Sequence, residues 1–194
     1  MNRHHVLITG VGRAGTTFLV ELLTHLGLDT GFNERTLKKK KEPRGRAGLE
    51  TQHIRFDSPY IIKSPWFIDV MDTLLESDLY HIDHVFIPVR DLYSAAESRR
   101  AVSAGGGGGG AIWYTNSMKK GDQEKVLAEK TYDLLHSLSS HDVPVTLINF
   151  PLLTKDSKYL YKKLKPILKD IKFKTFDEVY NKVLQPDLVH EFKK

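Results

Sequence analysis

At 194 residues, with 40% hydrophobic and 27% charged side chains, the chain is sized and composed for one globular core, which excludes a disordered tail protein. No apolar run approaches the ~20 residues of a membrane span, and much of the basic excess behind the formal charge of +5 is local, in Lys38 to Lys41 and around Lys162, Lys163 and Lys165. Zero cysteines exclude disulfides and thiolate metal sites, and Asn2 to His5 leads straight into a strand too short for a signal-peptide core, so a reducing, cytoplasmic setting is expected.

The first predicted strand runs from about His5 to Thr9 and the first helix from Thr16 to Leu26, with Phe18, Leu19, Leu22, Leu23 and Leu26 at helical spacing. Between them Gly10, Gly12 and Gly15 permit a tight turn in which backbone N–H groups and the helix N-terminal dipole face one point, an arrangement suited to phosphate. The nucleotide-hydrolase pattern G-x-x-x-x-G-K-[ST] demands lysine at position 16, where this chain has Thr16 followed by Thr17. The positive charge stands instead at Arg13, inside the loop. The plainer reading is a glycine-rich turn that serves packing alone.

After the first helix, Leu28-Asp-Thr-Gly-Phe-Asn-Glu34 ends in a carboxylate, and Lys38 to Lys41 follow with Arg44 and Arg46. That basic run either attracts an acidic acceptor or forms a solvated loop; no aromatic residues interleave with it, so nucleic acid is not an expected partner. A strand from Tyr60 to Lys63 leads into Lys63-Ser64-Pro65-Trp66 and a helix from Phe67 to Leu75. A third strand, His84 to Val89, delivers Arg90 and Asp91, and the helix from Leu92 to Val102 carries Ser98 eight residues after Arg90. Arg90 either reaches an anion or pairs with Asp91 or a helix carboxylate.

Six consecutive glycines, Gly105 to Gly110, form a spacer or a mobile lid, and the lid is the favoured reading. Ile112-Trp113-Tyr114 then supply aromatic surface to close over a ligand, unless Trp113 packs in the core. A helix from Gln123 to Leu138, a strand from Val143 to Phe150 and a helix from Ser157 to Leu164, disturbed at Pro166, precede a last helix opened by a capping box at Thr175 to Glu178. The alternation predicts an α/β three-layer sandwich around a central parallel sheet, one domain over 1–194 with a mobile glycine-rich insertion near 103–120. The Gly10 to Thr17 loop, Lys63 to Pro65, and Arg90 with Asp91 all follow strand ends and are expected to converge on one rim.

The string Gly10-Val-Gly-Arg-Ala-Gly-Thr-Thr-Phe-Leu19 resembles the 5′-phosphosulfate-binding loop of sulfotransferases that use 3′-phosphoadenosine 5′-phosphosulfate (PAPS), closest in pattern to bacterial and glycan-directed members. Arg90 and Ser98 resemble that family's 3′-phosphate-binding segment, although Leu92 stands where the family often has proline and Ser94 is a competing hydroxyl one turn earlier. Ile61 to Trp66 resembles its Lys-[Ser/Thr] segment. The resemblance implies a P-loop nucleotide-binding fold, PAPS as cofactor, adenosine 3′,5′-bisphosphate as product and no metal. It assigns Gly12, Arg13, Ala14, Gly15, Thr16 and Thr17 to the 5′-phosphosulfate, Arg90 and Ser98 to the 3′-phosphate, and Arg13 and Lys63 to transition-state charge.

Many small-molecule members place a catalytic His where this chain has Pro65, whereas bacterial and glycan-directed members often place a catalytic Glu in the segment after the first helix; the resemblance therefore implies Glu34 as general base, with His53 the next candidate. The acceptor is a hydroxyl or amine on a small molecule or glycan, with carbohydrate preferred. Two other classes stay open: a P-loop kinase or hydrolase using Mg-ATP or Mg-GTP with Asp91 on the metal, opposed by the missing loop lysine, and a non-catalytic nucleotide-binding protein.

Overall fold

The computed structural model describes residues 3–42, 47–51, 53–55, 57–105, 112–115, 117–186 and 192. Its central sheet begins with β1, Arg3–Ile8, whose buried Val6, Leu7 and Ile8 are the centre of the molecule. Beside β1 lie β4, Ile61–Lys63, and β5, Tyr80–Val89; β6, Val145–Asn149, follows β5. The order is β4-β1-β5-β6, every pairing parallel, with Val6 opposite Ile61 and Val85 opposite Val145. A separate antiparallel pair joins β2, Lys41–Glu42, to β3, Ala47–Gly48.

Successive strand residues face opposite sides, so adjacent apolar residues serve two cores. Val6, Ile8, Ile61, Phe86 and Ile148 pack with the apolar stripes of α1 (Thr16–His25), α7 (Ser157–Leu168) and α8 (Phe173–Val183). Leu7, Ile62, Val85 and Ile87 pack on the other side against Phe67 and Ile68 of a 3-10 turn (Pro65–Asp69), Met71 of α3 (Met71–Leu75), and Leu134 and Leu138 of α5 (Asp122–Ser140). The all-parallel sheet is therefore covered on both faces, the α/β layering that the strand-helix alternation predicts. Each fully buried Leu or Ile in these stripes contributes about 1.5–3 kcal/mol relative to exposure.

The remaining helices are α2 (Glu34–Lys40), α4 (Leu92–Ala104) and α6 (Phe150–Leu153). Neither α2 nor α6 is expected from sequence periodicity, because each spans too few turns to show one. Pro166 sits inside α7 rather than ending it: the helix runs on to Leu168, where buried Leu164, Ile167 and Leu168 hold the last turn against the lost hydrogen bond. The capping box at Thr175 does not form. The α8 helix starts earlier, at Phe173, because Phe173 and Phe176 both pack edge-on against Tyr161. The helix expected over Phe67 to Leu75 divides into the 3-10 turn, capped by Ser64 Oγ accepting from Trp66 N, and α3.

This strand order positions the site. From β1 the chain moves to β4 on one side and then to β5 on the other, so the loop after β1 lies where the winding reverses, the usual crevice in open parallel sheets.

Candidate functional site

The loop leaves β1 through a lock between neighbouring strand ends: Thr9 Oγ1 donates to the Ser64 carbonyl (2.8 Å) and Ser64 N to the Ile8 carbonyl (3.2 Å). Four residues then take left-handed backbone angles, Gly10 (φ 121°), Gly12 (70°), Arg13 (58°) and Gly15 (88°). Left-handed turns of this kind gather successive N–H groups into a concave anion-binding nest. They end at the first turn of α1, whose amides have no partner within the helix and whose macrodipole is positive.

Arg13 is the informative member, because a left-handed conformation costs a non-glycine residue about 1–2 kcal/mol. Two bonds hold it there. Its Nε donates to Ser98 Oγ (3.1 Å), and its carbonyl accepts from Arg90 Nη1 (3.1 Å). Arg90 also lies 4.7 Å over the Phe150 ring, and Arg99, only 2% exposed, donates from Nη2 to the Val11 carbonyl while stacking 4.1 Å over Trp113. Arg13 and Arg99 thus tie the loop to α4, and Arg90 ties it to the segment that leads into α4. Substitution in the loop meets these supports: a Cβ on Gly12 would lie 2.9 Å from Arg99 Nη2, and one on Gly15 would lie 2.9 Å from Leu153 Cδ2.

On the other flank stands Lys63, the last residue of β4, with its side chain 3% exposed. Its Nζ donates to Glu50 Oε1 (2.6 Å), to the Gly48 carbonyl (2.8 Å) and, at 3.5 Å, to Thr17 Oγ1 in the first turn of α1. Glu50 is brought there by a turn through Gly48 (φ 110°) and Leu49 (φ 61°), fixed when Thr51 N donates to the Lys63 carbonyl (2.7 Å). Burial pulls the Lys63 ammonium below the ordinary lysine value, Glu50 pushes it back up, and the Arg13 charge lowers it again. Burial first and Arg13 second depress Arg99 in the same way. One guanidinium thus raises the potential at two buried cations, Lys63 and Arg99.

No family model, curated protein or solved structure matches this chain. Its function is therefore read from its own residues. The rim gathers the loop residues Gly12, Arg13, Ala14, Gly15, Thr16 and Thr17 together with Lys63, Arg90 and Ser98, through the Arg13–Ser98, Arg90–Arg13 and Lys63–Thr17 contacts. Ala14 is buried and contributes backbone. Ser98 and Ser94 separate cleanly: Ser98 faces Arg13, whereas Ser94 Oγ donates to the Phe192 carbonyl (3.4 Å).

Glu34 is not at this rim, which corrects its expected place as general base. It is the exposed first residue of α2, with Oε1 3.1 Å from His25 Nδ1 and 3.4 Å from Lys182 Nζ. Helix α1 starts at the loop and ends at His25, a rise of about 14 Å between Thr16 and its partner. Lys182 first, and then His25, hold the Glu34 carboxyl below its ordinary value. The alternative base His53 is exposed.

Asp91 is also exposed and caps α4, accepting from Ser94 N (3.0 Å), a structural use of the carboxylate proposed for magnesium. Trp113 is buried with Ala95, Ala96 and Leu127, so it belongs to the core under Arg99. The lid assigned to the glycine run falls at 106–110, outside the described residues.

Sequence reading missed Glu50 and Arg99. Arg99 had a usable signal, since it follows Ser98 on a helix whose start is set by Asp91. Glu50 had none: it stands thirteen positions before Lys63, at the end of an irregular turn.

Proposed function

We propose that this chain is a PAPS-dependent sulfotransferase of P-loop type, acting on a hydroxyl or amine acceptor, with carbohydrate preferred. The observation that carries the reading is the Arg13 Nε–Ser98 Oγ bond, since it joins two segments 85 positions apart that separately resemble the 5′- and 3′-phosphate motifs of one cofactor. A donor set of Arg13, Arg90, Ser98, Thr16, Thr17 and loop amides suits a ligand bearing two separated phosphate groups.

When bound, PAPS supplies the sulfuryl group, and the acceptor gains an S–O bond as the bond from sulfur to the 5′-phosphate oxygen breaks. The loop amides and the Thr16 and Thr17 hydroxyls hold the 5′ end against the N-terminus of α1. Arg90 and Ser98 hold the 3′-phosphate. Arg13 supplies charge and hydrogen bonds but no proton, because a guanidinium stays protonated. Lys63 lies beside Thr17 and offsets charge growing on the leaving oxygen. Glu50 takes the role expected of Glu34. Its Oε1 accepts from Lys63 and from Gly48 N (3.2 Å), and among the described residues no donor reaches Oε2, the oxygen left to receive the acceptor's proton.

Calorimetry of adenosine 3′,5′-bisphosphate against ATP, ADP and GTP, with and without magnesium, tests this reading. Metal-independent preference for the bisphosphate, weakened about 10- to 100-fold by Arg90→Ala, is the expected result. Magnesium-dependent preference for ATP or GTP would overturn it in favour of a kinase or hydrolase. In a PAPS transfer assay, Glu50→Gln keeps bisphosphate affinity and loses on the order of 100-fold in turnover.

A further inference from the structure

At the opposite end of the sheet, His4 on β1 and His81 on β5 are direct register partners, their rings 4.8 Å apart and tilted by 55°. The pairing slips just beyond them: His5 lies opposite Ile82 and Val6 opposite His84, which leaves Asp83 as an extra residue without a partner on β1. A bulge of this kind re-aims a side chain. Here it brings Asp83 Oδ1 to 2.6 Å from His4 Nδ1 and 3.6 Å from His81 Nε2. We propose that His4, His81 and Asp83 form a binding site for a divalent transition-metal ion, separate from the anion-binding rim.

Three observations support it. One ligand atom from each residue lies within 4.8 Å of the others. Ligands bonded at about 2.0–2.2 Å to one ion stand roughly 3–4 Å apart, so closure asks for about an ångström of adjustment. His4 and His81 can make it by rotating, since each side chain is 60% exposed. The carboxylate is oriented from behind: the Tyr60 hydroxyl donates to Asp83 Oδ2 (3.0 Å), turning Oδ1 toward the imidazoles, as second partners of metal-binding carboxylates do. Finally, two imidazoles and one carboxylate are the donors of zinc, cobalt(II), nickel(II) or iron(II), not the all-oxygen shells that calcium and magnesium take. Three protein ligands leave at least one position for water, and the ion would clip the start of β1 to β5.

The test uses the full-length, tag-free protein with zinc and cobalt(II). Calorimetry is expected to give one zinc per chain, with affinity reduced at least tenfold in His81→Ala and in Asp83→Asn and about tenfold in Tyr60→Phe. Cobalt(II) is expected to give a visible absorption band that is lost in His4→Ala and His81→Ala. Both of those side chains are exposed, so these variants keep the fold, which circular dichroism verifies. Absence of stoichiometric binding would overturn the proposal, leaving His4–Asp83 as an ordinary hydrogen-bonded pair. Undiminished binding in His81→Ala would also overturn it by placing the ion elsewhere.

Discussion

The two ends of the parallel sheet carry opposite charge chemistry, held in opposite ways. At the carboxyl ends of β1 and β4, cations are buried or half-buried and are supported by backbone carbonyls, hydroxyls and aromatic faces, and Lys63 also pairs with the Glu50 carboxylate. At the amino ends, His4 and His81 lie largely in solvent beside a half-buried Asp83, which accepts a hydrogen bond from Tyr60 and pairs with His4. The first end is built into the fold and the second is laid on it. Substitutions at the rim should therefore cost stability, whereas those at the far end should leave the fold nearly untouched.

The sharpest way to break that contrast is Glu50→Ala. It leaves the Lys63 ammonium buried with a carbonyl and a distant hydroxyl as partners, and removing one half of a buried pair typically costs 3–5 kcal/mol. Because Glu50 itself is partly exposed, about 2–4 kcal/mol is expected, measured by urea unfolding. Adding Lys63→Met should restore much of the loss. If Glu50→Ala unfolds like the wild type, the Lys63–Glu50 pair is not built into the fold.

Next in size is Gly12→Ala. The new side chain must occupy φ +70° and displace Arg99 Nη2, which lies 2.9 Å from its Cβ position. Roughly 1–3 kcal/mol of stability should go, with weaker adenosine 3′,5′-bisphosphate binding, since Arg99 is what supports the loop at the Val11 carbonyl. Arg99 and its neighbour Arg100 then offer a comparison within one helix. Arg100 Nη2 lies 2.8 Å from Glu97 Oε1 and 2.7 Å from Glu124 Oε1, a clamp between α4 and α5 with no part in the rim. Hydrogen bonding to Arg100 holds the Glu124 carboxyl down at about 2 against the ordinary 4.5.

A depressed carboxylate stabilises the fold above its unfolded value and loses that contribution as pH falls toward its folded one. The gap in melting temperature between wild type and Glu124→Gln should therefore be full above about pH 5 and narrow as pH drops toward 2, with on the order of 1–2 kcal/mol at stake for this partly exposed pair. A pH-independent gap would remove Arg100 from that role.

What the sequence made legible follows the range of the interactions. Strands β1, β4, β5 and β6 and the long helices announce themselves by apolar period, and the rim follows from where those strands end. The meeting of Arg13, Lys63, Arg90 and Ser98 at one rim was readable for that reason, as each is within or next to a regular element. Glu34 failed because a carboxylate in an irregular segment carries no sign of which way the segment folds; it turned toward His25 and Lys182. Glu50 was invisible for the same reason in reverse, delivered to Lys63 by two left-handed residues, one of them Leu49, that no propensity anticipates. The bulge at Asp83 likewise depends on pairing between β1 and β5, residues nearly eighty positions apart.

The smallest expected effect tests the far end. Tyr60→Phe removes one hydrogen bond to Asp83 Oδ2 and leaves the ring in contact with the core. Such a partly exposed bond is worth about 0.5–1.5 kcal/mol net, and Asp83 can turn to water when it is lost. Stability should therefore drop by no more than that, and bisphosphate affinity should not change, because β1 and β4 run the length of the sheet between Tyr60 and the loop. A Tyr60→Phe variant that weakened bisphosphate binding would show the two ends to be coupled through β1. The strand would then act as a connection between a cation site and an anion site, not as a partition between them.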